Sequence, residues 1–303
     1  MDVGLHFNIP ASAYHADPCP EPSLSSSVAK LLIERSPLHA KLAHPRLSLV
    51  APESDPTRPK EIGTAAHKLI LGRGGDLVTI DEADYRKDVA KKGRAEAYAA
   101  GKTPILMCDA DVALALAETV WRRLGDSGDL ASFNLARPEV VVIARDPNGA
   151  WLRIMIDKLE DHGSHAVIWD VKTGDQSAEP SGLGRRISNM GMEIQAEFYR
   201  HVLALARPEL AGKITFKWLF VENEPPHEST IAELDATGRE IGRRKAMHAI
   251  ELWQRCLTSG EWPGYPRSHV VVEYPAFAER NWLEREEAYA DTGAEPIDYR
   301  MAG

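Results

Sequence analysis

The sequence predicts an α/β fold in which a mixed central sheet is flanked by helices. Three β-branched or apolar segments at 139–144, 151–156 and 166–171 follow one another closely and indicate neighbouring strands. Apolar residues then recur at helical spacing over about 188–206, and a further apolar strand follows at 214–221. Three strands, one helix and one more strand are therefore the centre of the expected architecture.

Composition and charge set limits on the class of protein. The chain has 303 residues, of which 44% are hydrophobic and 27% charged, and its formal net charge is −9. These are ordinary globular values, and they exclude a collagen-like, coiled-coil or wholly disordered chain. No run of 18 apolar residues predicts a membrane span, and no secretory signal opens the chain. The three widely separated cysteines suit a reducing cytoplasm and build neither a disulfide framework nor a zinc or iron–sulfur site.

The N-terminal half is predicted to be mainly helical. Residues 1–22 contain four prolines and are expected to form a loose arm. Serines before an apolar run predict a capped helix over 23–36, and Pro37 is expected to end it. Prolines mark the next stretch as a loop, and further helices are expected at 63–72 and 109–124.

Turn signals and periodicity organise the C-terminal half. The sequence DPNG at 146–149 predicts a hairpin turn between the first two strands. A fifth strand is expected at 229–234 and a long amphipathic helix at 238–257. We expect one domain over 1–303, with an N-terminal arm and helix at 1–62, a core with insertions at 63–283 and an acidic tail at 284–303.

Two carboxylates and an ammonium group are predicted to meet where strands of this sheet end. Asp157 follows the second strand, and Asp170 and Lys172 lie at the end of the third. Side chains two apart on a strand share a face, so Asp170 and Lys172 point the same way. If the strands are neighbours, Asp157 reaches the same place. Such a trio suits a hard cation that polarises a phosphoryl oxygen, although a surface ion pair at a strand end is the commoner explanation of Asp-x-Lys alone.

Four other residues extend this candidate site. His67 lies on the predicted helix at 63–72, where a structural histidine is the commoner case. Gln195 and Tyr199 stand four apart and therefore share one helix face. Glu139 opens the first strand, and either the site or solvent explains a carboxylate there.

The order His67, Asp157, Asp170-x-Lys172, Gln195-x-x-x-Tyr199 resembles that of the PD-(D/E)xK nuclease superfamily in its RecB-like branch. The succession of elements is similar to the restriction-endonuclease-like αβββαβ core of that superfamily, here with N-terminal and C-terminal helical additions. Several segments further resemble the exonuclease VIII (RecE-type) nucleases of phages and prophages: SLSSSVAKLLIERSP, GTAAH, GKTPIL, RIMID and WPGY.

The resemblance implies a metal site. It makes Asp157 and Asp170 the acidic ligands and the backbone carbonyl of Val171 a third ligand. His67 matches the histidine that helps to hold the metal, and Glu139 matches an acidic position of some members. The implied cofactor is Mg²⁺, for which Mn²⁺ is an expected substitute.

The resemblance also assigns the remaining roles. Lys172 is the implied catalytic lysine, and Gln195 and Tyr199 match a pair that lies beside the site and touches DNA or the lysine. Asp170 stands where many relatives have glutamate, and this shorter side chain is a mild departure. The iron–sulfur cysteines of some RecB-like relatives are absent from the sequence.

Positive side chains are needed to hold DNA phosphates. Arg185 and Arg186 follow the Asp-x-Lys motif in a predicted loop, and Arg153 shares a strand face with Asp157. These three are the expected DNA contacts. Other basic residues, for which a solvated surface is a simple explanation, lie at 86–94 and 243–245.

The expected function is that of a Mg²⁺-dependent DNA exonuclease at linear duplex ends, in phage-type recombination or DNA repair. A single-strand annealing protein and further copies of the chain are the partners that the resemblance suggests, and the location is cytoplasmic without a membrane. Two alternatives stay open. One is an inactive nuclease-fold module that only binds DNA, and the other is a metal-dependent hydrolase of small phosphoesters.

Overall fold

The computed structural model describes residues 1–48 and 57–292. The chain divides into two compact units, one spanning Met1–Gly264 and the other beginning at Tyr265. The described part of the second unit contains one helix, Ala276–Thr292. All the strands and the other described helices belong to the first unit.

Eight strands are numbered in chain order: β1 Gly4–His6, β2 Leu77–Ile80, β3 Thr103–Leu106, β4 Arg137–Arg145, β5 Trp151–Asp161, β6 Ala166–Gly174, β7 Ile214–Glu222 and β8 Ser229–Ala232. The helices are α1 Ala11–His15, α2 Ser26–Glu34, α3 Pro37–Ala43, α4 Arg58–Leu71, α5 Asp88–Ala99, α6 Met107–Ser127, α7 Leu130–Leu135, α8 Pro180–Asn189, α9 Met192–Ala206, α10 Ala236–Ser259 and α11 Ala276–Thr292.

The main sheet has six strands in the order β1-β4-β5-β6-β7-β8, and β2 and β3 form a separate parallel pair. Neighbours in the main sheet run antiparallel except β6 and β7, which are parallel. The sheet is therefore mixed, as the sequence predicts. The chain passes from β6 to β7 through a crossover that contains α8 and α9, since parallel neighbours need a long connection.

Each face of the sheet buries a separate apolar layer. Helices α2, α9 and α10 cover one face, where side chains such as Phe198 and Trp253 pack against Ile154 and Ile168. Helices α4 and α6 cover the other face, where the fully buried Trp169 belongs to the second layer. Since both faces are covered, the central strands read as nearly continuous apolar runs.

The sheet is irregular at one level, and this irregularity positions the site. Ile154 and Ile156 face the α9 layer, yet Leu159 faces it too, so the alternation of faces shifts by one residue near Asp157. The β5–β6 ladder begins only at the pair Lys158 and Trp169. Strands β5 and β6 are therefore paired from Lys158 onwards but not at Asp157 and Asp170. This leaves a gap between the two strands in the middle of the sheet.

Most predicted elements are present. The hairpin turn at 146–149 closes through a 2.8 Å hydrogen bond from the Gly149 N–H to the Asp146 carbonyl. All five predicted strands occur, and β5 continues beyond its predicted end to Asp161, so that Asp157 lies inside the strand. None of the described helices has the length and apolar character needed to cross a membrane.

Some expectations were wrong. The predicted helix at 188–206 is α9 alone, and α8 occupies part of the expected loop before it. Gly191, at φ 59°, separates the two helices. Pro37 begins α3, because a proline is tolerated in the first turn of a helix. Strand β1 lies in the expected loose arm. Parts of the predicted proline-rich loop and acidic tail lie outside the described residues.

Candidate active site

Three carboxylates occupy one level of adjacent strands. In the β4–β5 ladder, Pro138 pairs with Lys158 and Val140 with Ile156, which places Glu139 opposite Asp157. Asp170 lies opposite Asp157 on the other side, one step beyond the end of the β5–β6 ladder. The row of Glu139, Asp157 and Asp170 therefore crosses the sheet where its regular pairing is interrupted.

Asp157 connects the sheet to α4. Its Oδ2 accepts a 2.8 Å hydrogen bond from the Val171 N–H and lies 3.0 Å from His67 Nε2. Burial by itself raises the pKa of the Asp157 carboxyl, but the charge and hydrogen bond of His67 and the Lys172 charge outweigh it, and the pKa falls below its ordinary value. Asp157 is therefore held as a carboxylate.

Asp170 and Lys172 meet as the sequence predicts. Lys172 Nζ lies 2.7 Å from Asp170 Oδ2, and Gln195 on α9 donates a 2.7 Å hydrogen bond to Oδ1. Burial lowers the pKa of the Lys172 ammonium, but the charges of Asp170 and Asp157 raise it more, so the lysine stays positive. Burial and the neighbouring Asp157 charge raise the pKa of Asp170 despite the opposing effect of Lys172.

The donor atoms of this site fit a hard cation. Asp170 Oδ2 is buried, and among the described residues its partner is the Lys172 ammonium alone, without a hydrogen bond of good geometry. Two buried carboxylates side by side cost energy unless positive charge compensates them. As the side chains stand, no three His, Cys, Asp or Glu groups in the described ranges surround one point. A cation held by Asp157 and Asp170 would thus take its other oxygens from a backbone carbonyl and water, which is usual for Mg²⁺.

Tyr199 lies beside the site without pointing at the carboxylates. It is 7% exposed, and its hydroxyl donates a 3.0 Å hydrogen bond to the Met155 carbonyl on β5. Burial raises the pKa of its phenol well above the ordinary value. Tyr199 therefore stays neutral and ties α9 to the strand that carries Asp157.

Two cavities adjoin the site and share part of their lining. One, of about 350 Å³, is bounded by the N-terminal segment and by α9. The other, of about 490 Å³, is bounded by α4 and the glycine loop that follows it. Both are lined by His67, Asp157, Val171 and Lys172, so these residues form the partition between the cavities.

Sequence reasoning missed several residues that line these cavities. His15 lines both, and Ser25, Ser26 and Ser27 line the smaller one. The serine-rich start of α2 stands out in the sequence, but a helix cap is what it predicts. Ser25 makes no capping hydrogen bond with its side chain. Arg73 also lines the larger cavity. It lies in the segment GRGG at 72–75, which matches no functional motif in the sequence.

The three arginines expected to contact DNA have different settings. Arg153 is 3% exposed, and its guanidinium holds Ser23 and lies 3.4 Å from Asp17. These are the contacts of a buried structural arginine, but Arg153 also lines the smaller cavity, and its expected role as a DNA contact stays a prediction. Arg186 lies over the Phe220 ring and donates to the Gln176 and Ser177 carbonyls. Arg185 is exposed on α8, in a helix where a loop was expected.

Comparisons with known proteins found a matching family model and a similar fold. A model of the PD-(D/E)XK nuclease superfamily matches residues 24–287. The fold is similar to that of a candidate exonuclease from Eubacterium rectale, with a TM-score of 0.56 and 10% identity over 91% of this chain and 98% of that one. A phage-related exonuclease from Haemophilus somnus matches with a TM-score of 0.27 and 11% identity over 65% of this chain and 95% of that one. No curated protein matches the sequence.

The mixed six-stranded sheet with helices on both faces is that of the restriction-endonuclease-like fold class. The chain belongs to the PD-(D/E)XK nuclease superfamily, because the family model covers most of its length. Members of this superfamily generally depend on a divalent metal ion. The family predicted from the sequence is thus confirmed.

Proposed function

We propose that the protein is a Mg²⁺-dependent deoxyribonuclease that degrades linear duplex DNA from its ends. The observation that carries this proposal is the meeting of Asp157, Asp170 and Lys172 beside the two cavities. The Lys172 ammonium lies 2.7 Å from the buried Asp170 Oδ2, which has no other partner among the described residues. Its place in phage-type recombination or DNA repair, and the annealing protein and further copies as partners, are part of the proposal.

The metal would be held by Asp157, Asp170 and the Val171 carbonyl, with His67 beside them. When bound, a divalent metal polarises a phosphoryl oxygen and lowers the pKa of water. His67 fixes the orientation of Asp157 through their 3.0 Å contact. Gln195 fixes Asp170 from α9 and leaves Oδ2 for other partners. Glu139 is the further acidic candidate at the same level.

Lys172 is the proposed catalytic residue. Its ammonium is held at the partition between the cavities by Asp170, and it is positive at neutral pH because that carboxylate raises its pKa. A fixed positive charge beside a phosphate stabilises the negative charge that develops during hydrolysis. Arg185 and Arg186, on the helix after this strand, are proposed contacts to the DNA backbone.

The shape of the site supports action at an end. The smaller cavity is walled by Tyr14, Val28, Ala43 and Pro45, which come from three segments of the N-terminal region. These side chains close part of the cavity that Asp157 and Asp170 also line. Its volume of about 350 Å³ is suited to a terminal nucleotide rather than to continuous duplex.

The alternatives differ in their chemistry. A nuclease-fold module without turnover would bind DNA but tolerate loss of Lys172, and the complete acidic and basic set argues against it. A hydrolase of small phosphoesters would act on a generic aryl phosphate and ignore DNA. Neither is favoured by a separate structural observation.

The test uses purified protein with linear and closed circular duplex DNA in Mg²⁺, Mn²⁺ or EDTA. We expect metal-dependent loss of linear DNA alone, and no loss with Asp170→Asn or Lys172→Ala. Both variants should keep the native circular dichroism spectrum, because the side chains serve a site and not the apolar core. Cutting of the circle would show an endonuclease. Full activity of Lys172→Ala would contradict the catalytic role.

A further inference from the structure

Three positively charged side chains line the larger cavity together with two carboxylates of the site, Glu139 and Asp157. Lys60 and Lys68 on α4 and Arg73 after it line this cavity together with Asp157 and Lys172. Lys68 donates to the Gly75 carbonyl at 2.7 Å and thereby holds the loop against the helix. A wall of this charge suits a DNA strand, whose affinity for proteins comes largely from its phosphates.

Arg73 is fixed in this wall by the loop that carries it. Gly72 ends α4 at φ 69°, and Gly74 has φ 136°, a conformation that side-chain-bearing residues rarely adopt. The Arg73 guanidinium donates from Nε to Glu139 Oε2 at 3.2 Å and from a terminal nitrogen to the Asn8 side chain. Its side chain is 30% exposed and lines the cavity. Among the described contacts, three of its five N–H donors have no protein acceptor.

Glu139, the partner of Arg73, has an unusual backbone. Its φ is 48°, a left-handed conformation that costs energy in a residue with a side chain. It lies opposite Asp157, at a position where the β4–β5 ladder lacks a pair. Strain of this kind persists where the surroundings fix it, and it is concentrated at functional sites. The ion pair with Arg73 thus keeps a third carboxylate beside the metal site but neutralised.

We propose that Arg73 is exchanged between Glu139 and a backbone phosphate of the bound DNA strand. This inference rests on the proposed function. In the free protein Arg73 neutralises Glu139. When a phosphate enters the cavity, Arg73 turns to it, and Glu139 becomes available to the cation held by Asp157 and Asp170. The site would therefore hold its cation tightly only with DNA in place.

The energetics favour such an exchange. A partly exposed ion pair contributes little, because water screens it and two side chains must be ordered. Arginine binds phosphate through two parallel charge-assisted hydrogen bonds, which are stronger than neutral ones. Lys60 and Lys68 lie along the same wall and add to the attraction for phosphate. The released Glu139 gains a cation in place of the guanidinium, so its charge remains compensated.

Thermodynamic linkage gives the test, because DNA and the cation must then strengthen each other's binding by the same factor. Ca²⁺ affinity is measured by calorimetry with and without a short duplex that has phosphorothioate linkages. In the wild type we expect DNA to tighten Ca²⁺ binding by about tenfold. In Arg73→Ala, the free protein should already bind Ca²⁺ more tightly, and the DNA-dependent increase should fall below about twofold.

Glu139→Gln gives the complementary result. It should remove the increase without tightening Ca²⁺ binding in the free protein. Arg207→Ala is the matched control, since Arg207 is 28% exposed and pairs with Asp161 at 2.7 Å on the strand that carries Asp157. It should keep the wild-type increase. A full increase in Arg73→Ala or in Glu139→Gln would overturn the inference.

Circular dichroism and thermal unfolding of each variant separate a folding defect from a loss of linkage. The two proposals also fail differently. A wild-type protein that leaves DNA intact in Mg²⁺ would contradict the proposed function. A wild-type protein that degrades DNA, combined with an unchanged increase in Arg73→Ala, would contradict only the exchange of Arg73.

Discussion

Replacing Asp17 with asparagine is expected to destabilise the protein through a buried charge network. The Asp17 side chain is fully buried and lies 3.4 Å from Arg153 and 3.2 Å from His44 Nε2. The Ser23 hydroxyl donates to Asp17 at 2.6 Å. Asparagine has nearly the same shape but no charge, so Arg153 would lose its buried anion while the packing stays the same.

The magnitude follows from the pKa of this carboxyl. Burial by itself raises the pKa of Asp17, but the hydrogen bonds of His44 and Ser23 and the Arg153 charge lower it from 3.8 to about 2. The difference corresponds to about 2 kcal/mol of folding free energy at pH 7. Because the folded pKa is depressed, this contribution is complete above about pH 5 and is lost as the pH falls towards 2, with about 1 kcal/mol left at pH 3.

The assay is urea unfolding of the wild type and Asp17→Asn between pH 7 and pH 3. The variant should be less stable by at least about 2 kcal/mol at pH 7, and the difference should shrink by about half at pH 3. Asp76→Asn is a suitable control, because Asp76 is 74% exposed and its 3.5 Å pair with Lys68 contributes little. A difference below about 0.5 kcal/mol at pH 7, or one that grows on acidification, would refute the reasoning.

Two further predictions concern the contacts of α9 with α10 and with the candidate site. Gly242→Ala on α10 should destabilise the protein by about 1–3 kcal/mol, since a Cβ there would lie 2.5 Å from the Glu193 carbonyl oxygen on α9. Gly184→Ala on α8 is the control: open space surrounds it, and it should stabilise the protein by about 0.5–1 kcal/mol. Thermal unfolding measures the change in Tm of each variant, and equal changes in the two variants would contradict close packing at Gly242. Gln195→Ala removes the 2.7 Å donor to Asp170 and should slow cleavage about tenfold with little change in Tm. Unchanged single-turnover rates would exclude a positioning role for Gln195.

Local patterns were sufficient to predict the core strands and the proximity of Asp170 and Lys172. Alternating and continuous apolar runs are properties of short segments, and the strand that carries Asp170 and Lys172 is one such run. Their shared face follows from spacing alone, and their 2.7 Å contact agrees with it. The hairpin at 146–149 was likewise predictable, because its turn residues determine the backbone conformation.

Features that depend on distant residues were not predictable. Strand β1 exists because its three residues pair with β4, more than 130 positions away, and nothing in its own sequence requires a strand. The burial of Arg153 depends on Asp17 in the same way. The gap between β5 and β6 and the left-handed Glu139 arise from how three strands meet. Alternation alone predicts regular faces and therefore misses this irregularity.

The smaller cavity is lined both by the N-terminal segment and by strands β5 and β6, which lie far apart in the sequence. The Arg153 guanidinium binds the Ser23 hydroxyl across 130 positions, and an isolated bridge joins Leu24 to Leu152. At a synthesis rate of about 5–20 residues per second, the N-terminal segment leaves the ribosome about 6–26 seconds before the strand on which it docks. During that interval the nascent chain lacks Asp157, Asp170 and Lys172, and the candidate site is therefore incomplete. The order of synthesis thus delays completion of the candidate site until the sheet beneath it has been made.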